Sequence, residues 1–297
     1  MRNTRLRAAA FTAGLPALAL AMSAIASLAS CATPLRVAAD IEAERLLPPG
    51  AAVLLRLDRA LSVLVMGSLG GEEAAASVEL VADRIDEAVL ALMPATAGTD
   101  GPTVYAVATG SWPAGAVSLK LSSDRAWKKE GRGFAQEDGP LRLAFATGGR
   151  LFLGTGPLDS MEAAAKAPSP QPVPERWLDS WAADVALFAP DPLSGIGSRL
   201  GLEPGAVPMR ALVLSAVARA DAYDAAIMFE FGDEESARVF YPICRLLLLG
   251  LARGFWPERA AAILGMASWR ISGTVVSVSG LALSAGELAA FLSVAGG

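Results

Sequence analysis

Histidine is absent from the 297-residue chain, and cysteine occurs only twice, at Cys31 and Cys244. Without histidine the commonest general base, the Ser-His and Cys-His nucleophile pairs and the commonest transition-metal ligand are all missing. Zinc held by Cys/His clusters is excluded on the same ground. Lysine is nearly as scarce. None of Lys120, Lys128, Lys129 and Lys166 has a serine three residues before it, so the S-x-x-K arrangement is missing too. Paired carboxylates would remain, but Asp58, Asp138, Asp184 and Asp233 fall near strand ends or turns, where turn and helix-cap roles are the ordinary use. No spacing pairs them. The sequence therefore reads as non-enzymatic, with no cofactor and no metal site.

Basic charge is also in short supply, with 25 Lys and Arg against 30 Asp and Glu. Nucleic-acid binding needs basic patches that displace counterions, so the balance argues against it. A hydrophobic fraction of 53% argues equally against a disordered chain. Two glycine-rich stretches lack the rest of a nucleotide motif. Residues 67–71 have no following Lys-Ser/Thr, and Gly195-Ile196-Gly197-Ser198-Arg199-Leu200-Gly201 places its third glycine one position late, after a Pro192 that interrupts the turn.

What the chain does have begins at its N-terminus. Arg2, Arg5 and Arg7 precede an apolar run from Ala8 to Ala29 with no acidic residue among them, the layout of a secretory leader. The run ends in Leu28-Ala29-Ser30-Cys31. This resembles the lipobox of bacterial lipoproteins. The resemblance implies that Cys31 is joined to a diacylglycerol and becomes the acylated first residue of the mature chain, residues 1–30 being removed. An uncleaved transmembrane anchor, or a plain secretory signal with a coincidental cysteine, are the competing readings. Two or three acyl chains anchor stably, where one would be marginal. Ala32 and Thr33 follow, without the Asp that holds enteric lipoproteins at the inner membrane, which leans toward the outer membrane, facing the periplasm. Loss of three Arg with the leader moves the formal charge from -5 to -8. Cys244 is then the only thiol, in an apolar stretch that implies a buried, inert side chain.

Beyond a tether over residues 31–50, the pattern predicts an α+β fold of two related halves, each mostly antiparallel sheet with packed helices. The first half, residues 51–167, opens with a strand near Ala52–Leu57. A helix over residues 74–92 follows, on the spacing of Val78, Val81, Ile85, Val89 and Leu92, and ends at Pro94. Strands are expected near Val104–Thr109 and Ala116–Leu121, then a helical turn opening at Ser123 or Asp124. A hairpin over Leu141–Thr147 and Arg150–Gly154 turns at Gly148-Gly149, and an Ala-rich helix runs from Leu158 to Lys166. A Pro-rich linker, residues 168–175, marks the boundary. The second half, residues 176–297, repeats the order. Strands fall near Asp184–Ala189, Arg210–Ala218 and Ala225–Phe231, then a helix over Glu234–Gly254. A hairpin, Trp269–Ser272 with Val275–Leu283, precedes a final helix from Gly286 with a Ser284/Glu287 capping box. Two local echoes support duplication: Leu119–Leu121 against Phe229–Phe231, and Leu151–Gly156 against Val275–Gly280.

The helix at 234–254 is the most unusual segment. It is apolar on most sides, with Arg238, Arg245 and Arg253 within one arc and Phe255-Trp256 just beyond. Pro242 and the arginines rule out a transmembrane span. Three readings stay open: a buried core helix, a helix lying in a membrane interface, or one lining an apolar cleft for a lipid chain. Under the second, Arg238, Phe240, Ile243, Arg245, Leu247, Leu251 and Arg253 contact lipid. The body is similar in overall pattern to spirochaetal outer-membrane lipoproteins that are concealed in the periplasm and engage bilayers with amphipathic helices. The expected function is a membrane-anchored envelope lipoprotein that binds lipid or touches the bilayer, its partners being the membrane and a lipid ligand. The alternative is a structural or assembly role, docking another envelope protein.

Overall fold

A computed structural model describes residues 34–69, 84–94, 102–193 and 207–296. Cys31 and its leader, the glycine stretch at 195–201 and residues 74–83 of the expected helix lie outside them.

The first half contains β1 (Val53–Asp58), α1 (Arg59–Leu69), β2 (Ile85–Met93), β3 (Thr103–Gly110), α2 (Ala114–Ser123), β4 (Trp127–Glu130), β5 (Gly133–Gln136), β6 (Arg142–Ala146), β7 (Arg150–Gly154) and α3 (Asp159–Lys166). Then follow α4 (Leu178–Trp181), β8 (Val185–Pro190), β9 (Met209–Arg219) and β10 (Ala222–Phe231). After them come α5 (Glu234–Phe255), α6 (Ala260–Met266), β11 (Ser268–Ser272), β12 (Val275–Leu283) and α7 (Ala285–Gly296).

Among the described residues twelve strands join one sheet, in the order β11-β12-β10-β9-β8-β1-β2-β3-β7-β6-β5-β4, with every ladder antiparallel. Read outward from the centre, β1-β2-β3-β7-β6 on one side is matched by β8-β9-β10-β12-β11 on the other. The two opening strands pair with each other, Leu55 opposite Leu187. The fold is thus α+β with two related halves sharing one sheet. Of the two local echoes, β7 against β12 holds. Leu119–Leu121 against Phe229–Phe231 does not, because the first is helix and the second strand.

Alternation divides each central strand between two cores. In β1, Val53, Leu55 and Leu57 face a layer of α1, α2, α5, α6 and α7, while Leu54 faces the opposite side. That second side is covered by chain with little regular structure. Leu35, Val37, Leu46 and Leu47 of the expected tether are buried there, as are Met161 and Ala165 of α3, Val173 of the Pro-rich segment, Trp177 and Trp181. Buried polar groups fix this strap. The Arg150 guanidinium donates to the carbonyls of Ala38, Ala39 and Ile41 at 2.9, 3.2 and 2.6 Å. The indoles of Trp181 and Trp177 donate to the buried carboxylates of Glu44 and Glu230 at 3.0 and 3.1 Å. Such groups are tolerated inside only because they are satisfied.

Two expected elements are corrected. Ile85–Met93 is strand β2, not helix: it lies between β1 and β3 and is buried on both faces, so its apolar spacing carries no alternation. Ala116–Leu121 lies within helix α2, not a strand, and Asp124 ends that helix rather than opening one. The hairpin glycines behave as expected, with Gly148 at φ 74° and Gly149 at φ 67° between β6 and β7.

Candidate membrane-contact surface

Helix α5 starts where Asp233, in extended backbone, accepts a hydrogen bond from the Ser236 amide at 2.7 Å. These bonds from Ser236 hold the Asp233 carboxyl below its usual range, and Glu234 and Glu235 in the first turn suit the positive end of the helix dipole. At the far end the Trp256 indole donates to the Glu287 carbonyl at 3.1 Å, tying α5 to the start of α7. There Ser284 and Glu287 form the expected capping box, the Ser284 amide donating to the Glu287 carboxylate and the Glu287 amide to the Ser284 hydroxyl.

Ala237, Cys244, Leu248 and Ala252 form the buried face, with Phe240, Tyr241, Leu251 and Phe255 packed beside them. Phe240 stacks on Phe231 with centroids 5.9 Å apart, and Tyr241 meets Trp269 edge-on at 5.8 Å. Burial pushes the Cys244 thiol up to about 12, the inert state its apolar surroundings imply.

The opposite face is bare. At about 100° per residue, Val239 and Leu246 point away from the buried residues. They are 60% and 65% exposed. Pro242 and Gly250 lie on the same side and are exposed as well. Pro242 has no amide to donate back along the helix, which leaves the outer side one backbone bond short. Among the residues expected to meet lipid, Arg238, Arg245 and Arg253 are exposed, and Ile243 and Leu247 are half-buried on one flank. Phe240 and Leu251 turn inward to the core. Val239 and Leu246 were not singled out in sequence. Their seven-residue spacing, in step with Arg238 and Arg245, is the signal that marks them.

Cap or turn roles are seen at three of the four carboxylates, Asp184 instead receiving an amide from the neighbouring strand β9. Asp58 caps α1 through the Leu61 amide and accepts the Tyr223 hydroxyl at 2.6 Å, and Asp184 accepts the Ala218 amide at 2.8 Å. Asp233 is the α5 cap, while Asp138 sits in an exposed bend. Among the described residues no helix is long and apolar enough to cross a membrane, and no group of three or more Asp, Glu or Cys side chains is placed to hold a metal ion.

The chain matches no protein-family model and no curated protein sequence. Among solved structures it is similar to TP0453, an outer-membrane lipoprotein of the spirochaete Treponema. Crystal form I matches with a TM-score of 0.63 at 17% identity, over 88% of this chain and 100% of that one. Crystal form III matches with a TM-score of 0.61 at 18% identity, over 86% and 99%. At such identity the likeness concerns the fold.

Proposed function

We propose that the chain is a lipid-anchored protein of the bacterial cell envelope, held by acyl chains on Cys31, that also contacts the bilayer through the outer face of α5. It acts by binding rather than catalysis, and its address is the outer membrane, facing the periplasm. The observation that carries the contact is the bare apolar stripe of Val239 and Leu246 on a helix whose inner face already serves the core. Burying a Leu or Val side chain contributes roughly 1.5 kcal/mol or more, so the two give the outer face an affinity of its own that the acyl anchor then supplements. The lipobox at Leu28–Cys31 and the fold shared with a lipoprotein support the anchor. The absence of histidine supports the lack of catalysis.

Every buried core residue described lies between Leu35 and Leu292, so the chain from Ala32 onward keeps the complete core. Liposome flotation of that chain, without the acyl anchor, tests the contact. The parent is expected to float and a Val239→Glu, Leu246→Glu variant with unchanged circular dichroism to remain in solution. A parent that stays in solution contradicts the proposal and leaves the stripe to another envelope protein.

A further inference from the structure

We propose that the outer face of α5 selects anionic phospholipid surfaces, with Arg238, Arg245 and Arg253 as its headgroup contacts; this rests on reading that face as a bilayer contact. The chain is acidic overall, yet residues 236–257 carry these three arginines and no Asp or Glu. The helical repeat places Arg238 and Arg245 on one flank of Val239 and Leu246, and Arg253 in line with the stripe itself. Ile243, Gly250 and Gly254 on the other flank are uncharged.

None of the three is committed to the fold. Arg238 reaches Glu234 at 3.2 Å, but both side chains are well exposed, and such a pair is readily exchanged for a phosphate. The Arg245 guanidinium lies over the Tyr241 ring at 5.9 Å, and Trp269 holds that ring edge-on. A cation–π contact of this kind uses the ring face and consumes none of the guanidinium N–H donors, which stay available to a ligand. Arg253 makes no ion pair among the described residues. Arginine is the side chain suited to this task, because its planar fork meets two phosphate oxygens at once.

Charge complementarity then names the occupant. An anionic surface repels the rest of this acidic chain and attracts this helix, so it both binds α5 and orients it. A neutral bilayer engages only the apolar stripe. The test floats the chain from Ala32 onward with phosphatidylcholine vesicles and with vesicles that also contain phosphatidylglycerol. A Arg238→Gln, Arg245→Gln, Arg253→Gln variant is floated beside it. Each arginine at an anionic surface contributes roughly fivefold to partitioning, so the parent should favour the phosphatidylglycerol vesicles by about tenfold or more. That preference should fall with added salt and vanish in the variant, which keeps the parent's Tm. Equal binding of the parent to both vesicles, or a preference that survives the three substitutions, overturns the anionic selectivity while the bilayer contact stands. Failure of the parent to float with either vesicle overturns both readings and assigns the face to a protein partner.

Discussion

Helices α2 and α5 hold the same place in their halves, between the third strand and the hairpin that completes the repeat. They have come to differ in length and surface. α2 has 10 residues and is followed by the extra β4–β5 hairpin, whereas α5 has 22 residues and leads into the short α6. α2 exposes one large apolar residue, Leu119, beside Lys120 and a run of serines. α5 exposes Val239 and Leu246 in line and aligns arginines beside them. The helices closing each half diverge as well. α3 packs beneath the strap on one side of the sheet, and α7 packs with α1 and α5 on the other. The sheet is thus the part that the two halves share, and the helical covering is where they differ, the second half presenting apolar side chains that its own core does not use.

The largest difference is expected between the two faces of α5 itself. Leu248 is 0% exposed, so Leu248→Ala should cost about 2–5 kcal/mol in denaturant unfolding. Leu246→Ala, two residues earlier, should cost under about 0.5 kcal/mol. Comparable losses would mean that the outer face is packed and not free. On the strap side, Arg150→Leu leaves three carbonyls without their donor and should cost about 2 kcal/mol, with faster proteolysis near residues 38–41. An unchanged cleavage rate would show that the strap holds without it.

Two smaller effects probe how the halves are joined and how α7 is set. Tyr223→Phe removes the hydroxyl that β10 of the second half gives to Asp58 of the first. Burial, and then the hydrogen bond to Asp58, hold the Tyr223 phenol protonated well above its ordinary range, so the loss in denaturant unfolding at neutral pH should be about 1 kcal/mol. Glu287 adds a pH dependence. Burial opposes its charge, but the bonds from Ser284 and the Arg259 guanidinium, at 2.6 Å, outweigh it and hold the carboxyl below its ordinary 4.5. A carboxyl depressed on folding stabilises above its unfolded pKa, and that gain is lost as pH falls through the folded value. Glu287→Gln should therefore cost about 0.5–1 kcal/mol at neutral pH and nothing in acid well below 4.5. A cost independent of pH would refute the ion-pair account.

Much of the fold was legible in sequence where one physical signal acted alone. The β6–β7 hairpin followed from Gly148-Gly149, α5 from its Asp233 cap and long apolar period, and α7 from the Ser284/Glu287 box. Misreadings came where two signals coincide. In β2, Ile85, Val89 and Leu92 have helical spacing, yet a strand buried on both faces also presents apolar residues without alternation. In α2, Val117, Leu119 and Leu121 alternate like a strand, but the chain turns helical at Pro113 on the periphery of the core. The short β4 and β5 were missed because Lys128, Lys129 and Glu130 make a charged edge strand with no apolar run. For the surface, the arginines were found and the two outermost apolar residues were not. An all-round apolar helix does not announce which side its sheet will cover.

The most direct test of the account places a probe on each of the corresponding helices. Cys244 is buried with its thiol raised to about 12, so a new surface cysteine can be labelled selectively. Leu246→Cys on α5 and Leu119→Cys on α2 would each carry an environment-sensitive dye in the full lipidated chain, reconstituted on vesicles. The account predicts that the α5 dye moves into an apolar environment and is shielded from an aqueous quencher, while the α2 dye stays in water. Equal quenching of both would contradict it, leaving the acyl anchor as the chain's sole hold on the membrane.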